Sequence, residues 1–221
     1  MDLYEALYTT RAMRRVRPDP IPYPVQARIL DAAIRAPSGG NTQGWRFILV
    51  DDPAVKAELG PLYRDSLGQL WATAYRERVE RARANPGDPA SAATLAMVAS
   101  AQHLADHFEE VPLFLIAYAR DGSGGSIFPA VWSAQLAARA EGVGSALTTV
   151  LGAFHGAEAN EILGAPEDGG WQMACCVSFG YPTGRWGVAA RRPVSQVAYR
   201  NAWGSGLDLE IPGPLWPPAS G

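Results

Sequence analysis

The chain has 221 residues, of which 48% are apolar and 19% charged, with a formal net charge of −3. That balance excludes the basic excess of a nucleic-acid binder and the apolar-poor composition of a disordered chain, and it supports one large domain or two small ones. No apolar run reaches the ~20 residues of a membrane-spanning helix, and MDLYEALYTTRAMRR at the start shows no apolar stretch before a cleavage site. The cytoplasm is the expected compartment, with neither nucleic acid nor membrane as a partner.

In chain order, Asp2 caps an expected first helix with Leu3 and Leu7 on one face. The next stretch, TTRAMRRVRPDPIP, clusters Arg11, Arg14, Arg15 and Arg17, and Pro18, Pro20 and Pro22 stop any helix there. YPVQARILDAAIRA restores a helical period through Val25, Ile29, Ala33 and Ile34. APSGGNTQG then leads into WRFILV, a buried strand around Phe47–Val50. That connection is more polar and more flexible than a helix-to-strand link needs.

Residues 51–110 read as largely helical. Asp52 ahead of Pro53 starts a helix and Gly60 is expected to stop it. YRERVERARANPGDPAS is charged and loop-broken, which suits a surface excursion or a lid over about 64–90. SAATLAMVASAQHLADHFEEV predicts a strong helix, apolar at Leu95, Val98, Ala101 and Leu104. VPLFLIAYA is a strand buried on both faces, and GSGGS a flexible loop. PAVWSAQLAARAEGVG is a helix with Pro129 in its first turn and Gly142 near its end. Strands at SALTTV and MACCVSF flank a helix near residues 158–163. A Gly- and Pro-rich tail, extended, runs from Trp203 to 221. On a strand, Cys175 and Cys176 point to opposite faces, so core packing rather than a disulfide is expected. No internal repeat is visible, and the order of elements indicates an α+β or α/β layered fold.

The chemistry-bearing patterns are few. The arginine cluster suits either a solvated surface or an anion such as phosphate, which guanidinium groups hold through paired hydrogen bonds. His103 and His107 have a helical i,i+4 spacing but lack the Glu and third ligand of a zinc site, so no metal is expected. GSGGS has no following Gly-Lys-Ser/Thr, and both GxSxG and GxGxxG are absent. A bound cofactor must be held in some other way.

TTRAMRRVRPDPIP, an amphipathic helix and then APSGGNTQGWRFILV together resemble the N-terminal signature of the FMN-dependent nitroreductase superfamily. FPAVWSAQLAARAEGVGSALTT is similar to its central helix and following turn, and RRPVSQV to its C-terminal Arg-x-Pro segment. The resemblance spans residues 2 to about 203. It implies a single α+β domain over 1–221, with a central, mostly antiparallel sheet flanked by helices, in an intertwined homodimer with flavin sites at the interface. Arg11, Ala12, Met13 and Arg14 then match the segment wrapping FMN, with Arg11 at the phosphate and Arg14 at the pyrimidine side. Pro37, Ser38, Gly39, Gly40, Asn41 and Gln43 match the loop that reaches the partner subunit's flavin. Leu147, Thr148 and Thr149 match the backbone near the ring N5 edge, and Arg191 the second phosphate-binding cation. Many relatives have Ser at Ala12, and Lys where this chain has Ala189 and Ala190; the family lysine expected within 65–80 has no counterpart.

The implied activity is an FMN-dependent oxidoreductase in which NADH or NADPH passes hydride to flavin N5. A small-molecule acceptor, a nitroaromatic or a quinone, then uses the same space in a ping-pong scheme, with no protein side chain as the catalyst. The alternatives are a branch that does not use NAD(P)H (a flavin-destroying enzyme, a dehalogenase or a desaturating oxidase) and a non-catalytic flavin-binding or storage protein.

Overall fold

A computed structural model describes residues 1–207, 209, 211 and 213–217. Its residues fall into two compact units, one of Ala12–Arg185 and one of Met1–Arg11 with the segment that begins at Trp186. The larger unit is built on four strands, β1 (Trp45–Val50), β2 (Leu113–Ala119), β3 (Gly144–Thr148) and β4 (Gln172–Gly180). They lie in the order β1-β2-β4-β3, and every pairing is antiparallel. The structure therefore has the α+β fold with a mostly antiparallel sheet that the resemblance implies.

Helices cover both faces of the sheet, which explains why β2 is apolar at every position. Leu113, Leu115, Ala117 and Ala119 enter one core with α2 (Tyr23–Ala33) and α6 (Ile127–Ala140). Phe114, Ile116 and Tyr118 enter the other with α3 (Pro53–Ala72), α5 (Pro89–Asp106) and α7 (Val150–Leu163). The period-2 alternation of a strand divides the two cysteines in the same way, Cys175 into the first core and Cys176 into the second. Both are free thiols, and burial pushes Cys175 up to about 12 and raises Cys176 as well.

The helix starts follow local chemistry. The Asp52 carboxylate accepts from the N–H groups of Ala54 at 2.7 Å and Val55 at 3.3 Å, and Asp88 accepts from Ser91 N–H at 2.8 Å. Each aspartate is followed by a proline in the first turn. Gly60, however, does not stop α3, which continues through Gly60 and Pro61 to Ala72. Leu59, Tyr63 and Leu67 on its buried face hold the helix together across the missing Pro61 donor. The glycine serves packing instead, because a Cβ at residue 60 would overlap the Glu109 carboxylate. The charged stretch read as loop-broken likewise contains a helix, α4 (Arg76–Ala84), which packs on α5 through Val79 and Ala82.

Residues 12–17 form an extended strap over the β3 edge and the end of β4. Ala12 pairs in parallel with Ser145, Met13 N–H donates to Ser145 O at 2.9 Å, and Arg17 N–H donates to Tyr181 O at 2.8 Å. Two facing glycines make room for it, since a Cβ on Gly144 would lie 2.9 Å from Met13 Cβ and one on Gly180 2.7 Å from Val16 Cβ. In the smaller unit, α1 (Leu3–Thr9) begins after Asp2, which makes no side-chain cap bond, and Leu3 and Leu7 are exposed. The tail over 203–221 lies partly outside the described residues; those described there contain no helix or strand. Among the described residues no helix is long and apolar enough to cross a membrane.

Candidate flavin site

The strap brings Ala12, Met13 and Arg14 of the first group of candidate residues to β3, at the end of which the third group lies. Ala12 is exposed beside Ser145, while Met13 is buried with its N–H engaged, so Met13 anchors the strap rather than offering a polar group. Arg14 is half-buried. Its Nη1 makes one long hydrogen bond, 3.5 Å to Ser100 Oγ on α5, and no carboxylate partner exists for it among the described residues. Burial pulls its guanidinium below the ordinary value, and the nearest ionisable neighbour is the Tyr63 phenol.

Tyr63 on α3 is hydrogen-bonded to Thr148, and burial raises it to about 12. Leu147 and Thr148 are half-buried and Thr149 is exposed, directly ahead of α7, and the Thr148 hydroxyl accepts from Val150 N–H at 3.4 Å. Arg14, Tyr63 and Thr148 therefore form one cluster of a cation and two hydroxyls. A cavity of 220 Å³ opens beside it, lined by Arg14, Arg15, His103, His107, Glu110 and Thr183 among others. Arg15 Nη1 lies 3.1 Å from His103 Nδ1. A guanidinium only donates, so this nitrogen accepts and His103 is neutral; burial and then Arg15 lower its pKa. His107 Nδ1 pairs with Glu110 at 2.9 Å. One nitrogen of each histidine is thus already engaged, and the described residues hold no cluster of potential metal ligands.

The second group lies elsewhere. Pro37–Gln43 precedes β1, whereas Thr148 ends β3, and these are opposite edge strands separated by β2 and β4. At ~4.8 Å per strand spacing the two edges stand about 14 Å apart. Within the loop, Ser38 O accepts from Asn41 N–H at 2.9 Å and Ser38 Oγ accepts from Gln43 N–H at 3.1 Å. Gly40, Asn41 and Gln43 all have positive φ, at 57°, 53° and 49°. Two non-glycine residues in the left-handed region cost the chain energy, a feature that concentrates at functional sites. Asn41, Thr42 and Gln43 are exposed, so the loop points its polar groups away from its own core.

Arg11 and Arg191 belong to the smaller unit, where Ala189 N–H donates to Tyr8 O at 3.4 Å. Arg191 is exposed and donates to Ala190 O at 2.9 Å. Next to Arg11, the buried Thr10 hydroxyl has no hydrogen-bond partner. An orphaned hydroxyl beside a cation fits a phosphate-bearing group, and the unpaired Arg14 fits the electron-rich edge of a flavin. Tyr63, Ser100 and Thr10 were not among the sequence candidates. Thr10 adjoins Arg11 in TTR and was the one legible from its position.

The four-stranded antiparallel sheet between two helical layers is shared with solved structures of nitroreductases. One solved structure with that fold is iodotyrosine deiodinase bound to FMN and 3-iodo-L-tyrosine. It superposes with a TM-score of 0.71 at 21% identity, covering 91% of this chain and 100% of that one. Residues 7–181 match the nitroreductase family. A 5,6-dimethylbenzimidazole synthase of Rhodobacter capsulatus is 30% identical over 196 residues, 81% of this chain and 83% of that protein. The chain belongs to the nitroreductase family. A "NADH dehydrogenase" of Thermus thermophilus is 46% identical, but over 59 residues, 27% of this chain and 29% of that protein's length.

Proposed function

We propose that the protein is a cytoplasmic FMN-dependent oxidoreductase that takes reducing equivalents from NADH or NADPH and passes them to a nitroaromatic, a quinone or a related small acceptor. The observation that carries this reading is Arg14, a half-buried guanidinium without a carboxylate partner, clustered with Tyr63 and Thr148. FMN, when bound, supplies the hydride and electron transfer. The chain's residues would hold and orient it: Arg11 and Arg191 at the phosphate, Ala12–Arg14 along the ring with Arg14 at the pyrimidine side, and Leu147–Thr149 near the N5 edge. A fixed cation at Arg14 stabilises negative charge arising on the pyrimidine side in a partly dry site. The sequence likeness to a NADH dehydrogenase supports a nicotinamide as the reductant.

We further infer a homodimer in which the Pro37–Gln43 loop completes the partner's site. Its distance from β3 across the sheet and its outward polarity support this reading. So do the exposed aromatic residues Phe128 and Trp132 on α6. Both units would then belong to one nitroreductase domain, since the family match begins within the smaller unit and runs through most of the larger.

Purified protein tests the proposal directly. It should be yellow or take up FMN, and anaerobic addition of NADH or NADPH should bleach the flavin absorbance. Protein that neither contains nor binds FMN would overturn the assignment. A flavoprotein that neither nicotinamide reduces would favour a second reading, a branch acting without NAD(P)H, which the likeness over 83% of a 5,6-dimethylbenzimidazole synthase and the superposition on iodotyrosine deiodinase support.

A further inference from the structure

At the end of the sheet away from the Pro37–Gln43 loop, where β1 ends and β2 begins, lies a cavity of 430 Å³, within the ~300–1,000 Å³ typical of small-molecule sites. Four prolines, Pro20 and Pro22 among them, wall it together with Ile21 and Tyr23. Proline rings and a tyrosine face present flat C–H and π surfaces that suit an aromatic or branched apolar group.

Three polar groups face this wall. Lys56 is 6% exposed, and its ammonium donates to Val111 O at 2.9 Å. An ammonium carries three N–H donors, so two remain, and among the described residues no carboxylate lies within ion-pair distance of it. A buried cation left this way calls for an anionic acceptor. The Gln26 amide nitrogen donates to Ile21 O at 2.8 Å, which leaves its side-chain oxygen as an acceptor. Asp51 is exposed at the mouth and makes no hydrogen bond among the described residues. Asp51, Glu109 and Asp52 all act electrostatically on Lys56. Glu109 is held by Arg64 and Asp52 by the N–H groups that start α3, so Asp51 is the acid left open beside Lys56, and a plain carboxylate would be drawn to one and repelled by the other. A ligand carrying both charges satisfies both.

We propose that this cavity binds a free α-amino acid with an apolar or aromatic side chain. Its carboxylate is held by Lys56, its ammonium by Asp51 and the Gln26 side-chain oxygen, and its side chain lies on the proline wall. The site begins at Pro18, directly after the strap, but shares no lining residue with the cavity beside Arg14 and does not depend on the flavin reading.

Calorimetric titration of the full chain as purified tests it with three probes: L-phenylalanine, 3-phenylpropionate (without the ammonium) and 2-phenylethylamine (without the carboxylate). L-phenylalanine should bind saturably in the micromolar to low millimolar range, and each of the other two more than tenfold more weakly. Lys56→Met should weaken L-phenylalanine and 3-phenylpropionate together and leave 2-phenylethylamine unchanged. Asp51→Asn should bring L-phenylalanine down towards 3-phenylpropionate; this surface position carries the test if Lys56→Met does not fold. No saturable heat with L-phenylalanine, equal binding of all three probes, or selectivity for the zwitterion that survives Asp51→Asn would each overturn the proposal.

Discussion

At the scale of single residues, a half-buried cation without a carboxylate partner, Arg14, marks the candidate site. An ion pair on the surface stabilises a fold little, and this chain makes several, Arg28 with Glu141 and Arg76 with Glu80 among them. Arg14 is different because it is half-buried and no acid neutralises it, an arrangement that costs stability unless a ligand completes it. Arg11 adjoins the orphaned Thr10 hydroxyl in the chain, and a phosphate would give that hydroxyl a partner. Arg11→Ala should therefore weaken FMN binding by more than tenfold, since a charge-assisted hydrogen bond contributes about 1.5–3 kcal/mol. Fluorescence titration of the apoprotein with FMN reads this directly, and unchanged affinity would remove Arg11 from the phosphate site. Tyr63 shows why such a site is only partly legible in a sequence. A tyrosine at a buried helical position between Leu59 and Leu67 looks like packing, and only the fold brings its hydroxyl to Thr148. The strap and the polar loop could be read because arginines beside prolines, and Ser, Asn and Gln among glycines, have no packing role to explain them.

At the scale of elements, the strand pattern was legible and the helix ends were less so. VPLFLIAYA became β2 because both faces of the sheet are covered, which leaves its apolar run no ambiguity. Gly60 reads as a stop because local punctuation argues for one, yet α3 is held by its packing on both sides of Gly60 and Pro61. The helix α4 was obscured because only Val79 and Ala82 are buried in it, too few to set a period. Close approaches between elements are equally invisible from the sequence. A Cβ on Gly152 in α7 would lie 2.7 Å from the backbone oxygen of Met173 on β4. Gly152→Ala should destabilise the protein by about 1–3 kcal/mol in urea unfolding despite the helix propensity of alanine, because the backbone contact cannot yield without moving α7. A stabilised variant would show that α7 shifts freely. The α3–α7 contact also carries a pH-dependent clamp, where His155 Nε2 meets Asp65 at 2.6 Å and Nδ1 meets Glu158 at 3.1 Å. Hydrogen bonds to Asp65 and then Glu158 raise His155 above its ordinary value. Asp65 is lowered first by His155, and Glu158 first by a backbone N–H and then by His155. A raised histidine contributes stability that is complete below about pH 6.5 and fades as pH rises through its folded value. The lowered carboxylates lose theirs as pH falls through their own folded values, below the ordinary carboxylate range near pH 4. His155→Ala should thus destabilise the protein more near pH 5.5 than near pH 9; an equal loss at both would mean the clamp holds without its charge.

At the scale of the whole molecule, the question is why two groups of residues proposed for one flavin site lie on opposite edges of the sheet. Arg14 and Thr148 lie at the β3 edge, and Asn41 lies ahead of β1, about 14 Å away across β2 and β4. No side chain closes that gap, and the loop keeps its polar groups exposed with Asn41 and Gln43 in left-handed backbone. The proposed twofold-symmetric dimer would resolve the mismatch, because an isologous interface could set each subunit's loop against its partner's β3 edge and make two equal sites. The arrangement has a consequence that no monomeric site shares. Arg14→Ala and Asn41→Ala should each abolish most of the NAD(P)H-driven reduction in a homodimer, since every site carries the lesion. In a statistical mixture half of the dimers are mixed, and each of these has one doubly damaged site and one intact site. Unfolding and refolding the two variants together should therefore recover about a quarter of the wild-type activity, whereas refolding either one alone should recover none. Mass spectrometry of differently tagged subunits establishes that exchange has occurred. With exchange confirmed, a mixture no more active than its parents would place both residues in the same subunit's site and leave the exposed loop without the role its geometry implies.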